Sequence, residues 1–462
     1  MNTKQNIILL SAAFGILFPS VSFAQICTPD KCEVRFEDGA GIAVHFVKEE
    51  LEKYSVDPGF PSQVLDAAAN AYQTITKNQG FNTAGFSFAD ADRKYAYDPD
   101  KTIDIYLGAP DGKENYPALG DKNRMFADAP CFDVLRLSQT KYQAVILLPV
   151  NYAKFMRSWE KINPSPLGGR NFSVDLRGTL MHEMLHAVLF YYNKNLNKSS
   201  GGGEHSSSLD WYVEGLARYF ETFAGARHDF YSQGFKQTLP DKVRFSRGGA
   251  NYFMRYPDQP FTHLRYENAL FWRFMQRQFG MGRIEKLSRI LRSPKITFKE
   301  GLEQVTGEPF EKTLQDYAVC VLRNDFGLEK EAGYLQPIAK TRLVYRGGTF
   351  FLLDGQGNEK ALGQSCATDW IGRWESTSAS FDSASVAGDA TEEADISPWA
   401  TDFYEVRLEG GAKPDFKLNS ESQALHLQVL PGDKGQAYLL VTNTDPVRNL
   451  RYEWGVRNDR SD

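Results

Sequence analysis

The stretch at 173–192, SVDLRGTLMHEMLHAVLFYY, decides the fold, because its apolar residues have helical spacing and it has no formal charge after Glu183. Within it, His182 and His186 stand four positions apart. They therefore share one face of the predicted helix, where both imidazoles can point at one metal ion. Glu183 is rotated off that line but adjacent, so its carboxylate can reach a water beside the metal. The stretch predicts a buried helix that carries a metal site.

A pair of core histidines satisfied by hydrogen bonds is the alternative interpretation of the same pattern. The chain has only seven histidines, and two of them with a glutamate on one apolar helix would be costly to bury without a ligand. We therefore interpret His182 and His186 as ligands of Zn²⁺, with Glu183 as the general base of a hydrolase.

The third ligand must come from another segment, because catalytic zinc usually takes three protein ligands and keeps one position open. The segment at 209–224 contains WYVEGLARYFE and is predicted to be the next helix. The Gly- and Ser-rich connector at 193–208 would let it pack antiparallel to the first. Glu214 would then lie beneath the two histidines, and the small neighbours Gly215 and Ala217 favour close packing.

Alternatives exist for the acidic residues of this second helix. Glu214 could instead form an ion pair with Arg218, four positions later, on a solvated face. Glu221 competes with Glu214 for the ligand position. Ligating histidines also need acceptors for their other ring nitrogen, and Asp210 and Glu221 are the candidates.

Together, His-Glu-x-x-His at 182–186 and Trp-x-x-Glu-Gly-Leu-Ala-x-Tyr at 211–219 resemble the gluzincin metallopeptidases. That group contains thermolysin, the aminopeptidase N type and the bacterial collagenases. The resemblance implies a zincin-like fold, with His182, His186 and Glu214 as zinc ligands and Glu183 as base. The 28 positions from His186 to Glu214 exceed the gap in thermolysin or aminopeptidase N and are closer to the bacterial collagenases.

A second segment, YENALF at 266–271, resembles the Tyr-Glu-Lys-Gly-aliphatic segment of the aminopeptidase N type. This implies that the Tyr266 hydroxyl stabilises the oxyanion of the transition state, although Asn268 replaces the family's Lys. His263 is the other candidate donor, and a core tyrosine that begins an amphipathic helix is the alternative. The Gly-x-Met-Glu-Asn segment that grips a free amino terminus has no counterpart before His182, so we expect an endopeptidase.

The N-terminus predicts an exported protein, and the overall charge argues against a nucleic-acid partner. Residues 1–24 have a positive start, a short apolar run and small residues before Gln25, which is typical of a cleavable signal peptide. No later segment is apolar enough to predict a membrane span, and a net charge of −5 without a basic run argues against nucleic-acid binding. In an oxidising compartment Cys27 is expected to pair with Cys32. Because five cysteines cannot all pair, one is expected to be a free buried thiol; alternatively, Cys131 could ligate the metal in a latent form.

The predicted organisation is α+β: an N-terminal segment at 25–60, a zincin-like peptidase domain at 61–334 and a β-sandwich at 335–462. Strand-like runs punctuated by Gly, Asn and Asp predict the sandwich. The predicted function is a secreted or periplasmic zinc endopeptidase that acts on proteins or peptides. The alternatives are a catalytically silent, metal-stabilised binding or adhesion protein and a toxin-type protease of narrow specificity. The sequence does not indicate an oligomeric state.

Overall fold

The structure, a computed structural model, describes most of the chain between residues 26 and 456. The undescribed positions inside that range are 38–39, 82–101, 109–129, 137–141, 163–166, 193–208, 233–234, 240–241, 247, 256, 258–260, 329–332, 348, 364, 368–395, 412–414, 421 and 434. For Asp210, His263 and Cys366 the backbone is described but the side chain is not. The predicted signal peptide at 1–24 and the connector at 193–208 therefore lie outside the described residues.

A six-stranded mixed sheet forms the N-terminal layer. Its strands are β1 (Ile26–Cys27), β2 (Lys31–Arg35), β3 (Gly41–His45), β4 (Thr102–Gly108), β5 (Cys131–Arg136) and β6 (Tyr142–Pro149). They lie in the order β1-β2-β3-β4-β6-β5. β3, β4 and β6 run parallel to one another, whereas β1, β2 and β5 pair antiparallel with their neighbours. Every residue of β4 is buried, as expected for a central strand. The predicted disulfide between Cys27 and Cys32 is confirmed and closes the β1–β2 hairpin.

Helices pack against this sheet and against one another. They are α1 (Lys48–Lys53), α2 (Phe60–Gln73), α3 (Tyr152–Ile162), α4 (Phe172–Tyr192), α5 (Asp210–Glu221), α6 (Ala250–Arg255), α7 (Ala269–Phe279), α8 (Met281–Ile290), α9 (Phe298–Thr306) and α10 (Phe310–Arg323). α4 lies at the centre and contacts α2, α5 and β6. Its residues 180–189 are all buried, because a helix that is apolar on every side must be covered all round. The predicted helix at 173–192 is thus confirmed.

The C-terminal part is made of strands. They are β9 (Thr341–Arg346), β10 (Thr349–Leu353), β11 (Glu359–Gly363), β12 (Ser365–Ala367), β13 (Thr401–Leu408), β14 (Phe416–Asn419), β15 (Leu425–Pro431), β16 (Gln436–Asn443) and β17 (Glu453–Val456). A six-stranded sheet has the order β11-β10-β9-β13-β16-β15, and a three-stranded sheet has the order β12-β17-β14. A separate hairpin, β7 (Phe235–Leu239) with β8 (Lys242–Ser246), precedes them.

Two hydrophobic clusters organise the described residues. The larger one joins the N-terminal sheet to the helices, and the second is built from the C-terminal sheets around Trp454, whose ring lies 5.0 Å from that of Phe350 and 5.1 Å from that of Tyr404. Trp399 belongs to the larger cluster and packs on Phe310 with ring centroids 4.9 Å apart. The chain is therefore a mixed α/β protein, while its division into domains at 60/61 and 334/335 stays a prediction. No helix among the described residues is long and apolar enough to cross a membrane.

Candidate metal centre

Helices α4 and α5 bring the predicted ligands together. His182 and His186 lie one turn apart on the face of α4 that packs on α5, with ring centroids 4.9 Å apart and 7% of each residue exposed. Glu214 projects from α5 toward both rings. The ligand atoms of these three residues all lie within 4.8 Å of one another, and among the described residues they form the group of this kind that could hold a metal ion.

The distances within this group fit a metal better than they fit hydrogen bonds. Oε2 of Glu214 lies 3.4 Å from Nε2 of His182 and 3.7 Å from Nε2 of His186. It is buried and accepts no hydrogen bond of good geometry. Ligands about 2.1 Å from a tetrahedral metal are separated from one another by roughly 3.4 Å. The three atoms therefore surround a space of the right size for an ion.

Glu221 contacts the opposite nitrogen of His182. Its Oε1 lies 2.7 Å from Nδ1 of His182, which leaves Nε2 directed at Glu214. This is the arrangement expected for a carboxylate that orients a ligating imidazole and fixes its tautomer. Glu214 thus lies at Nε2 of His182, the atom that would bind a metal, and Glu221 lies at Nδ1 on the opposite side of the ring. The side chain of Asp210, the other predicted acceptor, lies outside the described residues.

Buried cations hold Glu221 in turn. Nη1 of Arg218 lies 2.8 Å from Oε2 of Glu221 and 3.5 Å from Oδ2 of Asp229. Asp229 also accepts from Arg170, at 2.5 Å and 3.2 Å, and from the indole N–H of Trp159 at 3.1 Å. Burial alone would raise the pKa of Asp229, but Arg218 and Arg170 lower it to about 2. Arg218 thus pairs with Glu221 and Asp229, not with Glu214 as the alternative interpretation had it.

The protonation behaviour of the site follows from its burial and its charges. Burial opposes the charged form of His182, but its contacts with the carboxylates of Glu214 and Glu221 outweigh it and raise its pKa to about 10. The same contacts hold the pKa of Glu214 well below its usual value, against the effect of burial. Glu183 is 8% exposed, and burial raises its pKa although both histidines pull it down.

Tyr266 closes another side of the site. It lies in a 3-10 turn, Tyr266–Asn268, and its ring centroid is 5.9 Å from that of His182. The Arg218 guanidinium stacks over the same ring at 4.6 Å. The negative charge of Glu214 and burial both raise the pKa of Tyr266, so its hydroxyl stays protonated and able to donate. His263 is in the 3-10 turn Phe261–His263, but its side chain lies outside the described residues.

The sequence did not reveal the role of Arg265. Its Nη2 donates to Oε1 of Glu214 at 2.8 Å, while Oε2 of the same carboxylate faces the histidines. Arg170 and Asp229 were missed as well, because they reach the site from segments far away in sequence. For Arg265 a signal existed, since it directly precedes the singled-out Tyr266.

Gly215 explains why the 265–268 segment can approach α5 so closely. A Cβ at this position would lie 2.8 Å from Cβ of Asn268 and 3.0 Å from the carbonyl oxygen of Arg265. Asn268, in turn, donates from Nδ2 to the carbonyl oxygens of Phe261 and Leu264. The backbone that carries Tyr266 is therefore fixed against the helix that carries Glu214.

No protein-family model matches this chain, and no curated protein matches it either.

Proposed function

We propose that this chain is a zinc-dependent peptidase of the gluzincin type, acting as an endopeptidase on proteins or peptides outside the cytoplasm. One observation carries the proposal: two imidazole Nε2 atoms and one carboxylate oxygen converge beside a second, buried carboxylate. Two histidines and a glutamate form a donor set that suits catalytic zinc and leaves one coordination position open. When bound, zinc would lower the pKa of water toward ~7 and polarise the scissile carbonyl.

Glu183 is the proposed general base. It follows His182 directly on α4 and is buried at the histidine pair, and burial raises its pKa. It would accept the proton of the attacking water and return it to the leaving amine. A buried carboxyl with a raised pKa is costly to keep, which favours a catalytic role over a silent binding site.

Tyr266 is the proposed oxyanion donor, with His263 as the alternative. Support comes from the position of its ring beside His182 and from the raised pKa that keeps its hydroxyl protonated. Arg218 would hold the ring in place by its stacking contact. A preorganised donor of this kind contributes roughly 3 kcal/mol to transition-state stabilisation in comparable sites.

Export is proposed from the predicted signal peptide at 1–24, and the disulfide between Cys27 and Cys32 is consistent with it. A toxin-type protease of narrow specificity would use the same chemistry. It differs from the main proposal only in the range of peptides that it cleaves.

The testing experiment is cleavage of a diverse peptide library by the mature protein. The zinc-loaded protein, the chelated protein, the chelated protein with zinc restored, and Glu214→Ala are compared. We expect cuts with the zinc-loaded and restored samples only. Cuts that persist in the chelated protein would overturn the zinc requirement. If the zinc-loaded protein cleaved neither the library nor a set of folded extracellular proteins, the alternative of a metal-stabilised binding or adhesion protein would be favoured instead.

A further inference from the structure

Arg265 is a half-exposed cation beside the metal centre. Its side chain is 47% exposed, whereas those of Glu214 and Arg218 are 15% and 12% exposed. The guanidinium carbon lies 5.8 Å from the centre of the Tyr266 ring. A positive charge is thus open to solvent next to the residues that are proposed to bind and cleave the substrate.

The backbone under Arg265 is rigid, so the side chain is presented from a fixed point. Its N–H donates to Oε2 of the buried Glu267 at 2.8 Å, and its carbonyl oxygen packs against α5 at Gly215. Asn268 ties the same segment to Leu264. A guanidinium held in this way loses little further conformational freedom when it binds a ligand.

Arg265 pairs with Glu214 while its own side chain stays half-exposed. The contact joins one nitrogen, Nη2, to one oxygen, Oε1, and 47% of the Arg265 side chain remains open to solvent. A lysine or glutamine could donate the same hydrogen bond. A guanidinium offers five N–H groups in a planar fork that matches the two oxygens of a carboxylate.

We propose that Arg265 determines specificity by binding a carboxylate of the substrate close to the scissile bond. This inference rests on the proposed peptidase function. The carboxylate can come from an acidic side chain or from the C-terminus of a peptide, and both offer the same planar acceptor. Charge-assisted, bidentate pairing would fix the position and orientation of the peptide at the metal centre.

Matched peptides test the inference. A peptide from the library that is cleaved is made with Glu or Gln beside the scissile bond, and as a C-terminal acid or amide at the same distance. Wild type, Arg265→Gln and Arg265→Lys are compared, each at equal zinc content. Arg277→Gln is the control variant, because Arg277 is 43% exposed and pairs with Asp325 away from the site.

We expect wild type and Arg277→Gln to prefer the charged peptide in either the Glu/Gln pair or the acid/amide pair. The preference in kcat/KM should be at least about tenfold, which is the effect of one hydrogen bond to a charged group. Arg265→Gln should lose that preference, with kcat/KM for the charged peptide falling about tenfold more than kcat/KM for the neutral peptide, chiefly through KM. Arg265→Lys should keep part of it. The Glu/Gln pair reports an acidic side chain, and the acid/amide pair reports a C-terminus. Equal loss for charged and neutral peptides, or no preference in wild type, would overturn the inference.

A binding measurement separates this inference from the proposed function. We would measure binding by fluorescence anisotropy with zinc-free wild type and zinc-free Arg265→Gln. The labelled peptides are the Glu peptide, the Gln peptide, the C-terminal acid and the C-terminal amide. Weaker binding of only a charged peptide by the variant would support Arg265 even if no peptide were cleaved. Cleavage without any charge preference would remove the inference and leave the peptidase proposal intact.

Discussion

At the residue scale, Glu214 and Glu221 differ in which nitrogen of His182 they face. Both are acidic residues on α5, seven positions apart, and the sequence left both open as third ligand. Glu214 faces Nε2, and Glu221 accepts from Nδ1. Two turns of helix separate them along the axis, and the imidazole ring between them decides which one a metal could reach.

Replacement of Glu221 by Gln should weaken zinc binding without abolishing it. The amide can still accept at Nδ1 but lacks the charge that makes the imidazole a better ligand. We expect affinity to fall about 10- to 100-fold with one zinc per chain retained. Glu214→Ala should lose the site altogether while the protein stays folded. Competition with a fluorescent chelator measures both, and the reverse order of the two variants would exchange their assigned roles.

Tyr266→Phe isolates the hydroxyl from the ring. The ring would keep its contact with Arg218, so folding and zinc affinity should not change. The rate constant kcat should fall about 10²- to 10³-fold, as when one oxyanion donor is removed. An unchanged kcat in Tyr266→Phe, together with a comparable fall in His263→Ala, would transfer the donor role to His263.

At the scale of the elements, close contact between α5 and the 265–268 segment aligns the two halves of the site. Gly215→Ala tests it, because the new Cβ would lie 2.8 Å from Cβ of Asn268. We expect a loss of about 1–3 kcal/mol in the free energy of unfolding, typical of overpacking. Gly282→Ala in α8 is the control, since nothing lies within 4 Å of its Cβ position. It should be neutral or stabilising by about 0.5–1 kcal/mol, as measured by urea denaturation.

The charged residues that join α4 to the 225–230 segment predict a pH dependence. Burial raises the pKa of Asp175 to about 7, although Arg170 lies 3.6 Å away and lowers it. A carboxyl group whose pKa is raised in the folded protein binds its proton more tightly there than in the unfolded chain. Its contribution to the free energy of unfolding is therefore complete only below the pKa of the unfolded state. That stability is lost as pH rises from about 4 to 7.

Asp175→Asn should therefore match wild type near pH 4 and be more stable at pH 8. The gain should be no more than about 4 kcal/mol, the equivalent of three pKa units. The free energy of unfolding of metal-free protein, measured across this range, checks the sign. A variant that is less stable than wild type at pH 8 would show that the pairing with Arg170 outweighs burial.

At the scale of the whole molecule, features carried by local periodicity could be predicted. The helices with the ligands and the disulfide between Cys27 and Cys32 agree with the sequence. Helix α3 was missed, and Tyr266 lies in a 3-10 turn that precedes helix α7. The conformation of such segments depends on which residues pack against them, and the local periodicity of the sequence does not indicate those residues.

The candidate site was predictable to the same extent. His182 and His186 follow from their spacing on one helix, and the second helix offered Glu214 and Glu221 as the third ligand. The contacts of Arg218 with Asp229 and of Arg265 with Glu214 do not. They depend on how loops and helices distant in sequence pack in three dimensions. The same is true of Trp399, which reaches from the C-terminal strands into the core beside α10.

Glu183 is proposed to act as general base beside a metal that His182, His186 and Glu214 hold, without binding that metal itself. Zinc content and cleavage rate measured together on Glu183→Gln test this most directly. We expect one zinc per chain, bound as tightly as in wild type, with cleavage reduced at least about 10²-fold, the lower limit for loss of a general base. Cleavage at the wild-type rate by the zinc-loaded variant would contradict it.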